Sequence, residues 1–393
     1  MNRMLRVKSP NKTPFNYLET IAIHEGAELA SAHGMVGTPI YQSSTFEMRP
    51  DDELSSVRYT RLNNGPNHLA LNKKMAALEG AEAAVVTASG MASISVTLLA
   101  TLGKQGHVLL PTALYGGTYA FATEYLEQLG HSYSWINIDD EKIWEKNLKP
   151  NTRVFWIESV SNPTLQIPDF KKYLAFCKKH KLISVIDNTF LSPYNFKPLE
   201  LGFDLVIQSC TKYLNGHSDV TAGSVAGSAQ WIEKIKTMTN LFGGVLDPHA
   251  CFLLDRGIKT LSVRVRAHNE NALAFAEYLA EHKDVERVIY PGLQDHPHHE
   301  RAKKYFVGSS GVVCFELKGS LKRTEKFLSS LKIPKIAPSL GGVESLIGLP
   351  TNTSNGKLTS REKLALGITP KFIRFAIGIE NIADLIADFE QAL

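Results

Sequence analysis

Between His68 and Ser228 short apolar runs alternate with amphipathic ones, and small or hydroxylated residues follow nearly every apolar run. Ala84–Ala88, His107–Leu110, Val154–Glu158, Leu182–Ile186 and Leu205–Ile207 have the length and composition of buried strands. Helical patterns stand between them, at Leu69–Leu78, from Met91 to Leu102, from Tyr115-Gly116-Gly117-Thr118 to about Leu129, and at Phe170–His180. This rhythm predicts an α/β domain with a mostly parallel central sheet and helices on both faces. Ligands in that architecture lie beyond the carboxyl ends of the strands. Ser89, Tyr115, Asn162, Asp187 and Lys212 all fall at those ends.

The chemistry of these positions is coherent. Leu205–Ile207 runs into Ser209, Cys210, Thr211 and Lys212, then a Gly- and His-bearing turn and a small-residue strand near Thr221–Ala226. A lysine just after a core strand either reaches out to water or takes a partner. Two hydroxyls before it suit a phosphate, and a lysine in a partly dry pocket suits Schiff-base chemistry. Ser89-Gly90-Met91 opens a helix after a strand, an anion-binding arrangement, because first-turn N–H groups lack intrahelical partners. It is not the GxGxxG signature of dinucleotide sites. Asp187 ends an apolar run and wants a donor or cation; a protonated pyridine nitrogen is one. Each residue has a plainer reading: a solvated lysine, a strand-end cap at Asp187, a packing ring at Tyr115. Together they point to a cofactor that acts as an electron sink, as pyridoxal phosphate (PLP) does.

Composition excludes several other classes. Forty-three basic residues against 39 acidic ones give a net charge of +4, too mild to imply nucleic acid or a membrane surface. Cys177, Cys210, Cys251 and Cys314 are far apart without a CxxC, so neither a zinc site nor a disulfide scaffold is expected. The histidines of YPGLQDHPHHE (290–300) lack ligand spacing on a firm scaffold, and no metal is expected. Met1–Asn11 is basic but has no apolar core of a signal peptide, and no run approaches membrane-spanning length. A cytoplasmic enzyme is the expectation.

Outside the regular run the pattern changes. Residues 12–60 are dense in turn formers, which suits a segment that wraps a neighbour or lines a site. Tyr59 and Arg61 stand near its end, before Asn63–Asn67. Phe242–Ser262 passes into a long helical pattern through Leu279, expected to connect two domains. Gly311–Leu317 and Phe372–Ile377 read as strands, Arg323–Leu331 and Ile382–Leu393 as helices, and Arg374 lies inside a strand. The expected division is an N-terminal arm (1–60), a cofactor-binding α/β domain (61–257) and a smaller C-terminal α+β domain (258–393).

The chain resembles the Cys/Met-metabolism family of PLP enzymes, the fold type I group that includes cystathionine γ-lyase, γ-synthase and β-lyase and methionine γ-lyase. The likeness rests on YTR (59–61), SGM (89–91), YGGTY (115–119), ESVSNPT (158–164), VIDNTF (185–190), SCTKYLNGHSDVTAG (209–223), SLGGVESLI (339–347) and IRFAIGIE (373–380), in order over nearly the whole chain. It implies that Lys212 is the cofactor-binding and catalytic lysine, that Asp187 meets the ring nitrogen, and that Tyr115 stacks on the ring and helps move protons. It implies a phosphate held by Ser89, Gly90, Met91, Ser209 and Thr211, with Thr189 a further cofactor contact. Tyr59 and Arg61 would complete that grip from a neighbouring subunit, in a homotetramer built as a dimer of dimers. Arg374 would hold the substrate α-carboxylate, which suits its planar fork, assisted by Asn162 and the backbone at Ser339.

Departures from the family pattern bear on the substrate. The loop after Arg61 reads LNNGPNH, and LPTNTSNGKLTS replaces the usual segment after SLGGVESLI. Arg58, Ala120 and Pro338 stand where the animal-type γ-lyase has charged residues, and Leu340 stands where bacterial β-lyases tend to have Trp. The expectation is a PLP-dependent carbon–sulfur lyase acting on a sulfur-containing amino acid, L-cystathionine, with γ-elimination favoured. The β-lyase, the γ-synthase and a methionine γ-lyase-like activity are the alternatives, and a non-catalytic member is set aside because Lys212, Asp187 and Arg374 are all kept.

Overall fold

The computed structural model describes residues 13–53, 56–352, 356 and 359–393. The basic run 1–11, residues 54–55 of the N-terminal arm, and residues 353–355 and 357–358 of LPTNTSNGKLTS lie outside the described residues. Among the described residues are β1 (Ala83–Thr87), β2 (His107–Pro111), β3 (Ser132–Ile136), β4 (Thr152–Glu158), β5 (Ile183–Asp187), β6 (Leu205–Gln208) and β7 (Gly223–Gly227). Further on come β8 (Val285–Ile289), β9 (Val312–Leu317), β10 (Lys335–Ile336), β11 (Leu346–Gly348) and β12 (Ile373–Ala376). The chain divides into two compact units, one of residues up to Gly103 with Ile183–Thr189 and Lys197–Ser262, the other of Lys104–Leu182, Phe190–Phe196 and Val263–Leu393. None of the described helices is long and apolar enough to cross a membrane.

In the first unit the strands lie in the order β1-β7-β6-β5. β5 and β6 are parallel, while β7 runs antiparallel to both β6 and β1. The strand β7 is GSVAG because its neighbours come close: a Cβ on Gly223 would lie 2.4 Å from the Ser89 carbonyl oxygen. Helix Pro66–Glu79 starts with proline in its first turn and ends at Gly80, whose φ of 71° suits a residue without Cβ. Its Lys74 makes a buried ion pair with Asp255 at 2.5 Å, which ties it to helix Pro248–Ile258. Removing Asp255 leaves the Lys74 ammonium buried without its ion-pair partner, a cost of about 3–5 kcal/mol.

The asparagines after Arg61 have a structural role. β1 is an edge strand, and its Val86 amide donates to Asn72 Oδ1 at 2.8 Å. Asn63 Nδ2 donates to the Val86 carbonyl at 2.7 Å, and Asn72 Nδ2 closes the relay on Asn63 Oδ1 at 3.0 Å. Side chains thus satisfy a sheet edge that would otherwise be left open. Asn67 binds the arm in the same way, accepting from the Tyr41 amide and donating to the Pro39 carbonyl.

The second unit holds β4-β2-β3, all parallel, and a separate sheet ordered β10-β11-β12-β9-β8. One face of the latter is closed by an aromatic core in which Phe389 lies 4.6 Å from Phe275 and 5.0 Å from Phe375, ring centroid to centroid. Two details differ from the sequence expectation. The long helix expected to run through Leu279 is Leu261–Glu281, but the stretch before it is not irregular: helix Ala229–Phe242 stops at Gly243, and a further helix, Pro248–Ile258, comes between the two. Asp247 caps helix Pro248–Ile258 by accepting from the His249 amide at 2.8 Å. The helical run after Tyr115 ends in a π turn over Ala122–Leu126.

Candidate active site

The first unit places its candidate residues just beyond β1, β5 and β6. Ser89 caps helix Gly90–Leu102, its Oγ accepting from the Ala92 amide at 3.1 Å. A Cβ on Gly90 would lie 2.9 Å from the Ser209 Cβ, so only glycine lets this helix start approach the Ser209 loop. The Ser209 amide donates to Thr189 Oγ1 at 2.8 Å, and the Thr189 amide donates to Asp187 Oδ1 at 3.0 Å. Thr211 Oγ1 donates to the Ala222 carbonyl and accepts from the Ala222 amide, fixing the turn to β7. Lys212 is half-buried at the first turn after Ser209, to whose carbonyl its amide donates at 3.1 Å. Thr189, Ser209 and Lys212 are therefore held on short, mutually bonded turns, with the Ser89–Gly90 helix start packed against them.

Asp187 tests whether this half suits PLP. It is buried, and burial raises its pKa above the ordinary carboxylate range, against the hydrogen bonds from Thr189. A buried carboxylate in that state is complemented by a protonated ring nitrogen. With free helix-start amides at Gly90 and Met91 beside the Ser209 hydroxyl, the donor set fits a phosphate as well. Behind β6, buried Glu79 accepts from Gln208 Nε2 at 2.8 Å, and burial pushes its pKa up to about 7.

Tyr59 and Arg61 are exposed. The guanidinium of Arg61 lies 5.6 Å from the Tyr59 ring centroid and donates to the Asn240 carbonyl at 3.2 Å. Large apolar side chains of the same unit are also open to solvent, among them Val36 (99% exposed), Leu241 (77%) and Phe242 (67%).

The second unit holds Tyr115, Asn162, Ser339 and Arg374. Arg374 on β12 is buried; its Nη1 donates to Asn162 Oδ1 at 3.2 Å and its Nη2 to the Ser339 carbonyl at 3.0 Å. Both acceptors are neutral oxygens, so they fix the plane of the fork and bring no negative charge. Ser339 has a φ of 113°, in the left-handed region, which turns its carbonyl to that fork. Cys314, paired with Arg374 across the sheet, is buried, and burial pushes its thiol up to about 12, so it is inert. Tyr115 begins helix Gly116–Phe121 with its ring 40% exposed.

One residue without an assigned role in the sequence reading organises this half. Glu158, the last residue of β4, is buried, and its two carboxylate oxygens accept from the Tyr115 amide at 2.6 Å and the Asn162 amide at 3.3 Å. The available signal was an acid closing the apolar run VFWIE. Tyr119 was likewise passed over; it stacks on Trp135 at 5.1 Å and donates to Glu362 at 3.4 Å.

Comparison with known proteins places this geometry. The model of the family described as Cys/Met metabolism PLP-dependent enzyme matches residues 19–393. A cystathionine gamma-lyase of Bacillus subtilis is 39% identical over 376 residues, covering 95% of this chain and 98% of its own. A cystathionine beta-lyase of Coxiella burnetii is also 39% identical, over 386 residues, covering 98% and 99%. Among solved structures, the cystathionine gamma synthase of Xanthomonas oryzae pv. oryzae, in complex with aminoacrylate and cysteine, superposes with a TM-score of 0.92 at 35% identity, covering 97% and 98%. The chain belongs to the Cys/Met-metabolism PLP-dependent enzymes, with their fold type I architecture and smaller C-terminal α+β domain, and PLP is its cofactor.

Proposed function

We propose that this member of the family cleaves L-cystathionine at its γ-carbon, giving cysteine, 2-oxobutyrate and ammonia. The activity common to the family, breaking or making carbon–sulfur bonds of sulfur amino acids, is its premise. The observation that carries the reading is the Arg374 fork, held flat by Asn162 and Ser339 with its plane set for a carboxylate. The finer choice of γ over β rests on Leu340, Ala120 and Pro338. Leu340 is buried, and Ala120 and Pro338 bring no charge to the far end of a substrate, so a longer arm has room to turn.

PLP, when bound, supplies an electron sink that makes the substrate Cα–H acidic. Asp187 then keeps the ring nitrogen protonated. The helix start at Ser89, Gly90 and Met91, with Ser209, Thr211 and Thr189, anchors the cofactor. Tyr115 packs on the ring and takes the proton from the incoming amine. Lys212 would hold the cofactor, and its amine would be the base at Cα and Cβ of the substrate. Arg374 pins the α-carboxylate of the substrate.

Each site is proposed to draw on two chains, in a dimer of dimers located in the cytoplasm. Exposed Tyr59 and Arg61, with exposed Leu241 and Phe242 next to the Asn240 that Arg61 bonds, support a neighbour there. An end-point assay tests the reaction. With cystathionine alone, 2-oxobutyrate should exceed pyruvate; excess pyruvate would move the reading to the β-lyase. Rapid synthesis of cystathionine from cysteine and an O-acylhomoserine, with little cleavage, would move it to the γ-synthase.

A further inference from the structure

The second unit contains a cavity of about 330 Å³ that none of these roles uses. It is set between the histidine-rich loop after β8 and the turn at Leu366–Gly367. Its size is at the small end of the range for ligand pockets.

Three kinds of surface line it. The first is a pair of fixed donors. Arg287 Nη2 donates to buried Glu316 at 2.7 Å and to the Gly367 carbonyl at 2.6 Å, while its guanidinium carbon lies 5.7 Å from the Phe372 ring centroid. Its Nη1 donates to nothing among the described residues. His296 is only 9% exposed, and its Nδ1 accepts from the His298 amide at 3.1 Å. The proton of the neutral ring is therefore on Nε2, and among the described residues nothing accepts it. Burial, aided by His298 and His299, pushes the His296 pKa down to about 4, so at neutral pH the ring stays a one-proton donor. The second surface is a carboxylate, Asp139, which accepts from Arg301 at 2.8 Å through Oδ1 and has Oδ2 3.7 Å from His298 Nε2. The third is an apolar floor of Ile289, Leu366 and Phe372.

A cation with a neutral N–H, an acid and an apolar floor together complement a small zwitterion. We infer that this cavity is a second binding site for an α-amino acid with an apolar side chain. Its carboxylate goes to Arg287 and His296 and its ammonium to Asp139. The site shares a loop with the substrate grip: Thr164 and Gln166 line it, and Ser161 bonds both, at 2.7 Å to the Thr164 hydroxyl and 2.9 Å from the Gln166 amide. Asn162, which holds Arg374, lies within that loop. The inference does not depend on which carbon–sulfur bond the enzyme cuts.

L-norleucine is a suitable probe, since it has no leaving group and no sulfur. Titrated into the holoenzyme, it should give two sites per chain by calorimetry, of which only one changes the absorbance of the cofactor. Leu366→Trp, which fills the cavity, and His296→Phe, which removes the donor, should each weaken the spectroscopically silent site by about tenfold or more. Turnover of the sulfur amino acid without norleucine should stay within about twofold in both, as expected for substitutions away from the reacting groups. Hexanoate, which lacks the ammonium, should bind the silent site more weakly than norleucine. A single site that follows the absorbance, or silent binding that survives both substitutions, would overturn the inference. Failure of the lyase assay would leave the silent site untouched, so the two readings fail separately.

Discussion

Glu158→Gln probes the brace behind the substrate grip. The carboxylate holds two backbone amides at once, those of Tyr115 at 2.6 Å and Asn162 at 3.3 Å. Glutamine keeps the shape but offers one oxygen and one NH2 group. If its oxygen stays on Tyr115, the NH2 faces the Asn162 N–H, and a charge-assisted hydrogen bond is replaced by two opposed donors. A hydrogen bond to a charged group contributes about 1.5–3 kcal/mol, and leaving a buried donor unmet costs about as much. Transmitted in full to the transition state, about 2 kcal/mol is roughly a thirtyfold loss in kcat/KM. Because Asn162 holds Arg374, most of the loss should appear as a raised KM for the amino acid, with kcat less affected. Glu158→Asp keeps the charge and should recover part of it. The assay is steady-state turnover of cystathionine beside the absorbance of bound cofactor, which should not change. Kinetics within about twofold of wild type in a folded, cofactor-loaded Glu158→Gln enzyme would refute the bracing role.

Three further outcomes follow from the same geometry. Lys212→Ala should still bind cofactor noncovalently but lose turnover by about 10³-fold or more, read by single-turnover assay; near-normal activity would remove Lys212 from the proposed chemistry. Gly90→Ala puts a Cβ 2.9 Å from the Ser209 Cβ, so cofactor affinity, followed by absorbance titration, should fall by about tenfold or more through loss of the helix-start contact. Mixing inactive Lys212→Ala and Arg61→Ala proteins under exchange should restore about a quarter of the sites if mixing is random and each site draws on two chains. No recovery in proven hetero-oligomers would count against the shared site.

Much of this was legible in the sequence because burial and periodicity agreed. β4, β5 and β6 are apolar runs buried along almost their whole length, and helix Phe170–His180 was read to the residue. β3 (SYSWI) and β8 (VERVI) were missed because neither is fully buried: half-exposed strands carry polar residues on one face and look like loops. Helix Ala229–Phe242 was missed because it follows directly on the small-residue strand β7. Glu158 was hidden for another reason. Its partners are main-chain amides, and a backbone partner leaves no residue type to recognise. The asparagines at 63 and 67 looked like turn formers, yet with Asn72 of the helix they bond an edge strand and the arm.

The residues that were hardest to read are those that choose among substrates, and the physics explains why. A charged pair at the far end of cystathionine would select it by leaving its own partners unmet when a shorter amino acid binds. That penalty discriminates by several powers of ten. Here Ala120 and Pro338 hold those positions, and neither can donate or carry charge. Under the proposed function, binding then falls to the Arg374 fork at the α-carboxylate, which every amino acid possesses. What remains at the far end is apolar contact, and one methylene more or less contributes only about 1–3 kcal/mol. An enzyme built this way discriminates weakly by affinity and strongly by reactivity. Under the proposed function, any amino acid with an adequate leaving group on the γ-carbon would be held, and reactivity at that carbon would do the selecting.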